Sequence, residues 1–380
     1  MRKARSTAMA TVSQSHAPST GGGLQALRLS RWLFWIACLI GVTVFPLVFT
    51  DGATTSVAVF TLIYAAAGTA WNIFSGYTGY IALGHAAFFG LGAYTIAVMC
   101  EWLNTPGGWG PFAFVPLAGV VAAVFAVPLG AIALRTRRHT FVVITIAMFF
   151  IFQLLATNLR GLTNGSAGLS LPIPLWSGAA FNLPFYYVTL AILLLAIATS
   201  WYVRHSKYGL ELLAIRDDED RARGLGVRTG MTKLSAFVLS AFFVGMIGAV
   251  WAYFLEAIFP MFAFDPLFDV LVALMVFLGG MGTISGPLLG ALIVIPVQQY
   301  FNLYYGGSGF SQIAFGAMFL IVILLLPQGI VPALSQLARK LSGANANAQL
   351  ASGPPPMESA PEAGDSALGA PVASVANDSE

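Results

Sequence analysis

Ten stretches of this chain are apolar for most of the length that a helix needs to cross a bilayer, and no other feature restricts its fold as strongly. They run approximately Trp32–Thr50, Val57–Ser75, Tyr80–Cys100, Phe112–Leu134, Thr140–Thr157, Phe185–Val203, Leu234–Ala257, Leu267–Gly280, Pro287–Asn302 and Phe310–Leu326. A spanning helix takes ~20 residues, because in lipid every backbone amide must be bonded within its own segment. The eighth and ninth stretches are short by that measure. Composition points the same way: 58% of the residues are hydrophobic and 9% charged, against roughly 25% charged in a soluble domain. With a mean hydropathy of +0.81, such a chain cannot cover itself with a wetted surface. The fold class predicted is an all-α membrane protein, a polytopic bundle of about ten transmembrane helices.

The positive residues set its orientation. Of the 18 Lys and Arg, all but Arg160 lie in the amino-terminal arm, at Arg135, Arg137 and Arg138, between Arg204 and Lys233, or at Arg339 and Lys340. With a cytoplasmic amino terminus, four spans return the chain inside at Arg135, six at Arg204 and ten at Arg339. Every basic cluster then satisfies the positive-inside bias, and both termini are cytoplasmic. Because these clusters abut helix ends and are separated by membrane-length apolar runs, a nucleic-acid-binding stripe is set aside.

The first apolar run begins behind a polar arm too long for an ordinary signal peptide, so it reads as a retained span. Residues 1–31 and 342–380 are rich in small and polar residues and are expected to be disordered, with 32–341 as the membrane domain between them. The connection 158–184 is rich in Gly, Pro, Ser and Asn and predicts an ordered external loop. Its Asn164-Gly165-Ser166 matches a glycosylation pattern too short to carry weight. Cys38 and Cys100 fall in apolar runs, where neither a disulfide framework nor a metal site is indicated.

Residues 204–233 form the one long charge-dense connection, placed in the cytoplasm by the parity above. Leu210, Leu213 and Ala214 share a face of a short helix; Asp217 with Arg221 and Glu219 with Arg223 are acid-before-base pairs four apart. Gly224 and Gly226 then break it. Topology needs only the basic residues, and Glu211, Asp217, Asp218, Glu219 and Asp220 go beyond that need. The segment is therefore expected to dock a soluble partner through Gly209, Glu211, Leu213, Ala214, Arg216, Asp217, Glu219 and Gly226.

The chain carries no fuel site of its own. No Gly is followed by Lys, so the phosphate-cradling G-x-x-x-x-G-K-[ST] loop is absent, and no cofactor is expected on this chain. Paired ionisable groups deep in the spans, as ion-coupled carriers use, are missing; His85 stands alone, with Glu256, Asp265 and Asp269 near helix ends. His85 either lines a pathway or packs between helices. Gly84, Gly90 and Gly92 permit close helix approach, and Gly279 to Pro287 reads as a turn or a broken helix. The four histidines are scattered and no H-E-x-x-H occurs, which argues against a membrane-embedded enzyme. A secondary carrier or channel remains the rival that needs no ATPase.

Four blocks together resemble the permeases of branched-chain amino-acid ABC importers. They are Trp71 to Gly79 with Leu83 to Gly90, Leu162 to Leu169, Leu213 to Glu219, and Leu278 to Ala291, in order within about Leu62 to Pro327. The resemblance implies a type II importer-like bundle in the bacterial inner membrane, a second related permease, and two cytoplasmic ATPases that hold ATP and Mg. It also implies a periplasmic solute-binding protein. On this reading the segment from about Gly209 to Arg223 is the coupling helix that the ATPases push, although Arg221 to Gly224 departs from the family's Ala-rich ending. Asn72, Gly84, His85 and Gly282 become candidates for the translocation pathway. Branched-chain amino acids are the implied solute, with urea, short amides and aromatic acids as alternatives within the family.

Overall fold

The computed structural model describes residues 37, 40–305, 316, 317, 320 and 329–334. The expected arm 1–31, the tail 342–380, the start of the first span and nearly all of the tenth lie outside the described residues. Leu334 opens a second compact unit and is its only described residue; everything below concerns the first unit.

Helix α1 (40–48) leads to α2 (Gly52–Trp71), which continues as a π turn over Asn72–Gly76. Then come α3 (His85–Trp102), α4 (Val115–Ala133), α5 (Arg138–Asn158) and the single turn α6 (Arg160–Thr163). After α7 (Asn182–His205) the short α8 (Lys207–Asp217) and α9 (Glu219–Gly224) precede the long α10 (Thr229–Leu255). Another single turn, α11 (Pro260–Ala263), leads into α12 (Pro266–Gly279) and α13 (Gly286–Tyr305). Two-residue strands β1 (Leu169–Ser170) and β2 (Ala257–Ile258) pair antiparallel, Leu169 opposite Ile258, and tie the loop 158–184 to the far end of α10.

Among the described residues, six segments are long and apolar enough to cross a membrane: Gly52–Gly76, Pro111–Ala133, Arg138–Asn158, Asn182–His205, Thr229–Leu255 and Pro260–Gly279. The 18-residue α3 and 20-residue α13 add two more bilayer-scale rods, about 27 and 30 Å long at 1.5 Å per residue. On α4 and α5, Val124, Ile132, Val143, Ile151 and Leu154 are exposed, an apolar surface that only lipid or another apolar chain can cover. The protein is a polytopic α-helical membrane bundle.

Two predicted spans are corrected. The third does not begin at Tyr80: residues 80–84 are not helical, and α3 starts at His85. Their apolar character misleads because distant side chains satisfy their backbone. Trp71 Nε1 donates to the Ala82 carbonyl at 2.8 Å, the Ala82 amide donates to Ser75 Oγ at 3.2 Å, and the Leu83 amide to Thr145 Oγ1 at 3.2 Å. The eighth span is interrupted: the turn α11 and helix α12 are separated at Phe264 and Asp265 within the apolar run Pro260–Gly279. Its 14 residues in α12 reach only about 21 Å, short of the ~30 Å hydrocarbon core. Just before it, the Phe264 ring packs where a Cβ on Gly90 would lie 2.3 Å away, which is 12 residues, or about 18 Å, below the far end of α3.

Helix α10 forms the centre, packed against α2, α3 and α4. Backbones touch there: a Cβ on Gly92 would stand 1.9 Å from the Gly245 carbonyl oxygen, and one on Gly248 would stand 2.0 Å from that of Phe89. Without a hydrophobic force between helices in lipid, such close approach supplies the attraction. Gly248→Val is expected to cost about 3 kcal/mol by overpacking, because the obstructing atoms are backbone. Gly230→Ala, with open space around it, is expected to change stability by less than about 0.5 kcal/mol. Thermal unfolding of the two purified variants in detergent checks both.

Candidate functional site

The predicted docking segment sits at the basic end of the bundle and folds as two helices, which corrects the single helix expected from Gly209 to Arg223. Ser206 caps α8 by accepting from the Gly209 amide at 3.2 Å, and Gly209 fits an elbow where a Cβ would meet the Val203 carbonyl at 2.0 Å. Asp218 then leaves helical geometry (φ −157°, ψ 110°), and its carboxylate accepts from the amides of Asp220 and Arg221 at 3.0 and 3.1 Å. An aspartate followed by Glu219 and Asp220 is an N-cap with an acidic first turn, the signal the sequence reading passed over. In consequence Arg221 pairs with Asp218 at 3.0 Å rather than with Asp217, while Arg223 reaches Glu219 at 3.4 Å as predicted. The turn after α9 needs Gly226, at φ +89°.

The residues named for docking divide between two faces of α8. Gly209, Leu212 and Ile215 are buried against the bundle, whereas Leu210 is 65% exposed, Leu213 and Ala214 are half-buried, and Asp217 is exposed. Residues 210, 213, 214 and 217 follow helical spacing, so a partly apolar stripe faces away from the bundle.

The opposite side is bolted down. Tyr208 hydroxyl donates to the Thr232 carbonyl at 3.1 Å, and Thr232 Oγ1 donates to Glu211 at 3.0 Å. Arg138, at the start of α5, donates through Nη2 to the carbonyls of Ile215 and Arg216 at 2.9 and 2.8 Å. Arg216 itself points inward, Nη1 donating to the Gly76 carbonyl at 2.9 Å. Glu219 accepts from Lys233 Nζ at 2.6 Å and from the Tyr80 hydroxyl. Partial burial pushes the Glu219 carboxyl upward, but the bonds from Lys233 and Tyr80 and the charges of Lys233 and Arg223 outweigh it and hold the group below its ordinary 4.5. The stabilisation from this depressed acid is therefore complete above about pH 5 and fades as pH falls below 4.5.

Of the four pathway candidates, the structure joins two. Asn72, fully buried in the π turn, accepts from the Gly282 amide at 2.8 Å and donates to the Thr283 carbonyl at 2.9 Å. Gly282 has φ +80°, and a Cβ there would strike Arg216 Nη1 at 2.3 Å. Thus Asn72, Gly76, Gly282 and Arg216 form one joint between α2, α8 and the α12–α13 turn. Gly84 and His85 stand apart from it. Gly84 packs on α5, a Cβ there falling 2.4 Å from the Thr145 carbonyl. His85 is fully buried, its Nε2 2.7 Å from Ser240 Oγ and its ring edge-on to Phe88 and Phe237.

Sequence reasoning noted Asp269 only as an ionisable group near a helix end. Fully buried in the first turn of α12, it accepts from the Ala86 amide with both carboxylate oxygens, each at 3.1 Å, and so caps α3 from 183 residues away. Gly84, the local N-cap position, has no side chain to do this. Asp269→Ala is expected to cost about 1–3 kcal/mol by stranding a buried amide, and Asp269→Asn to cost less because it keeps an acceptor. Unfolding midpoints of the two variants in detergent decide the order.

These features define a polytopic membrane bundle with a bolted, partly apolar ledge at its basic end. Residues 53–326 match the family model for the permease component of the branched-chain amino acid transport system, and the chain belongs to that family. It is 27% identical to the high-affinity branched-chain amino acid transport permease LivM of Escherichia coli K12, with 79% of this chain and 75% of that protein covered. It is 24% identical to LivH of the same system, covering 70% and 91%. A ribose import permease of Haemophilus influenzae, RbsC, is 22% identical over 56% of this chain and 68% of its own length. No solved structure matches it.

Proposed function

We propose that this chain is one of two related permease subunits of an ATP-driven importer in a bacterial inner membrane, with its basic end and both termini in the cytoplasm. Two ATPases, which hold ATP and Mg, grip the ledge formed by α8 and α9, and a periplasmic binding protein delivers the solute. The chain itself holds no nucleotide and catalyses no reaction. What carries this reading is the two-sided character of α8: one side is bonded to α2, α5 and α10, and the other presents Leu210, Leu213, Ala214 and Asp217 outward. Push on the outer side, and the inner bonds pass the displacement to the spans.

Branched-chain amino acids are the proposed solutes, on the family match and the two Liv relatives. Related solutes, among them urea, short amides and aromatic acids, form the second reading. The ribose permease among the relatives supports a fold that serves chemically different solutes. Leu210→Asp is expected to weaken capture of the cognate ATPases roughly thirtyfold, the scale of a lost interface anchor, with insertion of the permease unchanged. Pull-down from detergent extracts measures this. Proteoliposomes holding the full assembly should accumulate leucine with ATP and fail to do so on a proton gradient alone. Accumulation without the ATPases would refute the reading.

A further inference from the structure

We propose that Tyr80 and Lys233 are positioning residues for energy coupling, forming with Glu219 a joint that carries motion of α9 to the start of α3 and to α10 together. The inference rests on the reading above and names residues outside the exposed face of α8.

Lys233 lies in the first turns of α10 with only 3% of its side chain exposed. A lysine that merely fixes topology does so from water, and burying an ammonium is costly unless it is paired and hydrogen-bonded. Here the pairing is complete. Nζ donates to Glu219 at 2.6 Å and to the Tyr80 hydroxyl at 3.2 Å, and it stands 4.4 Å above the Tyr80 ring. The Tyr80 hydroxyl in turn donates to the second oxygen of Glu219, and the Arg138 guanidinium lies 5.6 Å from the Tyr80 ring centre.

Each member belongs to a different element. Glu219 opens α9, Lys233 belongs to the central helix, and Tyr80 belongs to the non-helical stretch five residues before His85. A displaced α9 therefore cannot slide over its neighbours without separating a desolvated ion pair. It pulls the α10 end and the 80–84 stretch with it. That stretch hangs from the Trp71, Ser75 and Thr145 side chains rather than from helical bonds, so it yields where the helices on either side do not. A partner pushing the ledge thus acts directly on the place where α3 begins.

The test uses the complete transporter in proteoliposomes, with the second permease, the ATPases and the binding protein, and reads solute moved per ATP hydrolysed. For Lys233→Met, hydrolysis is expected to persist at the parent level while solute per ATP falls at least about fivefold. Tyr80→Phe is expected to fall less, because the ring and the ion pair remain, and Lys233→Arg to recover most of the ratio. An unchanged ratio in Lys233→Met overturns the joint. So does a parallel loss of hydrolysis, uptake and assembled complex, which marks a purely structural pin. If the parent assembly itself shows no ATP-dependent uptake, the permease reading fails, and the joint fails with it.

Discussion

Lipid offers nothing to an unpaired backbone group, and this protein is organised around that fact. Its regular helices meet the demand internally. What distinguishes it is how it meets the demand where helices stop inside the bundle. At 80–84 the backbone is served by Trp71, Ser75 and Thr145; at the start of α3 by Asp269; at the α12–α13 turn by Asn72 and Thr283. Each interruption is thereby tied to elements far away in sequence. Breaks that would be weak points in an isolated helix become the places where separate parts of the bundle hold one another.

The ledge at the basic end follows the same rule. Helices α8 and α9 lie outside the regular spans, yet their inner bonds end on the interrupted places: Arg216 on the π turn of α2, Glu219 on Tyr80 and Lys233. A π turn is a local irregularity of the kind often found at functional sites. Here it presents Asn72 to the α12–α13 turn and the Gly76 carbonyl to Arg216, so three elements meet at one bend. In the function proposed above, such a meeting point passes motion from the ledge into the spans.

Much of this was legible beforehand, for identifiable reasons. The spans now seen as α2, α4, α5, α7 and α10 were readable because each is a long uninterrupted apolar run. The third span was misplaced at its start because Tyr80 to Leu83 are apolar without being helical, and their partners, Thr145 above all, lie outside any local window. In the docking segment its location and its glycine stop were readable, whereas the break at Asp218 required reading a cap against two attractive charge pairs. Leu210, Leu213 and Ala214 share a face of α8, as their spacing indicated, but Gly209, Glu211 and Arg216, named with them for docking, turn toward the bundle, and nothing local in so short a helix marks that division. Asn72 and Gly282 were named separately, and only the fold shows that they touch. The role of Asp269 had no local signal at all.

That remote cap bears on how the molecule is made. Ribosomes deliver α3 long before α12, so when the third span enters the bilayer its leading amide at Ala86 has no acceptor from Asp269. That amide must wait until 183 further residues have emerged. The start of α3 is thus completed late, when the Asp269 carboxylate of α12 docks onto it.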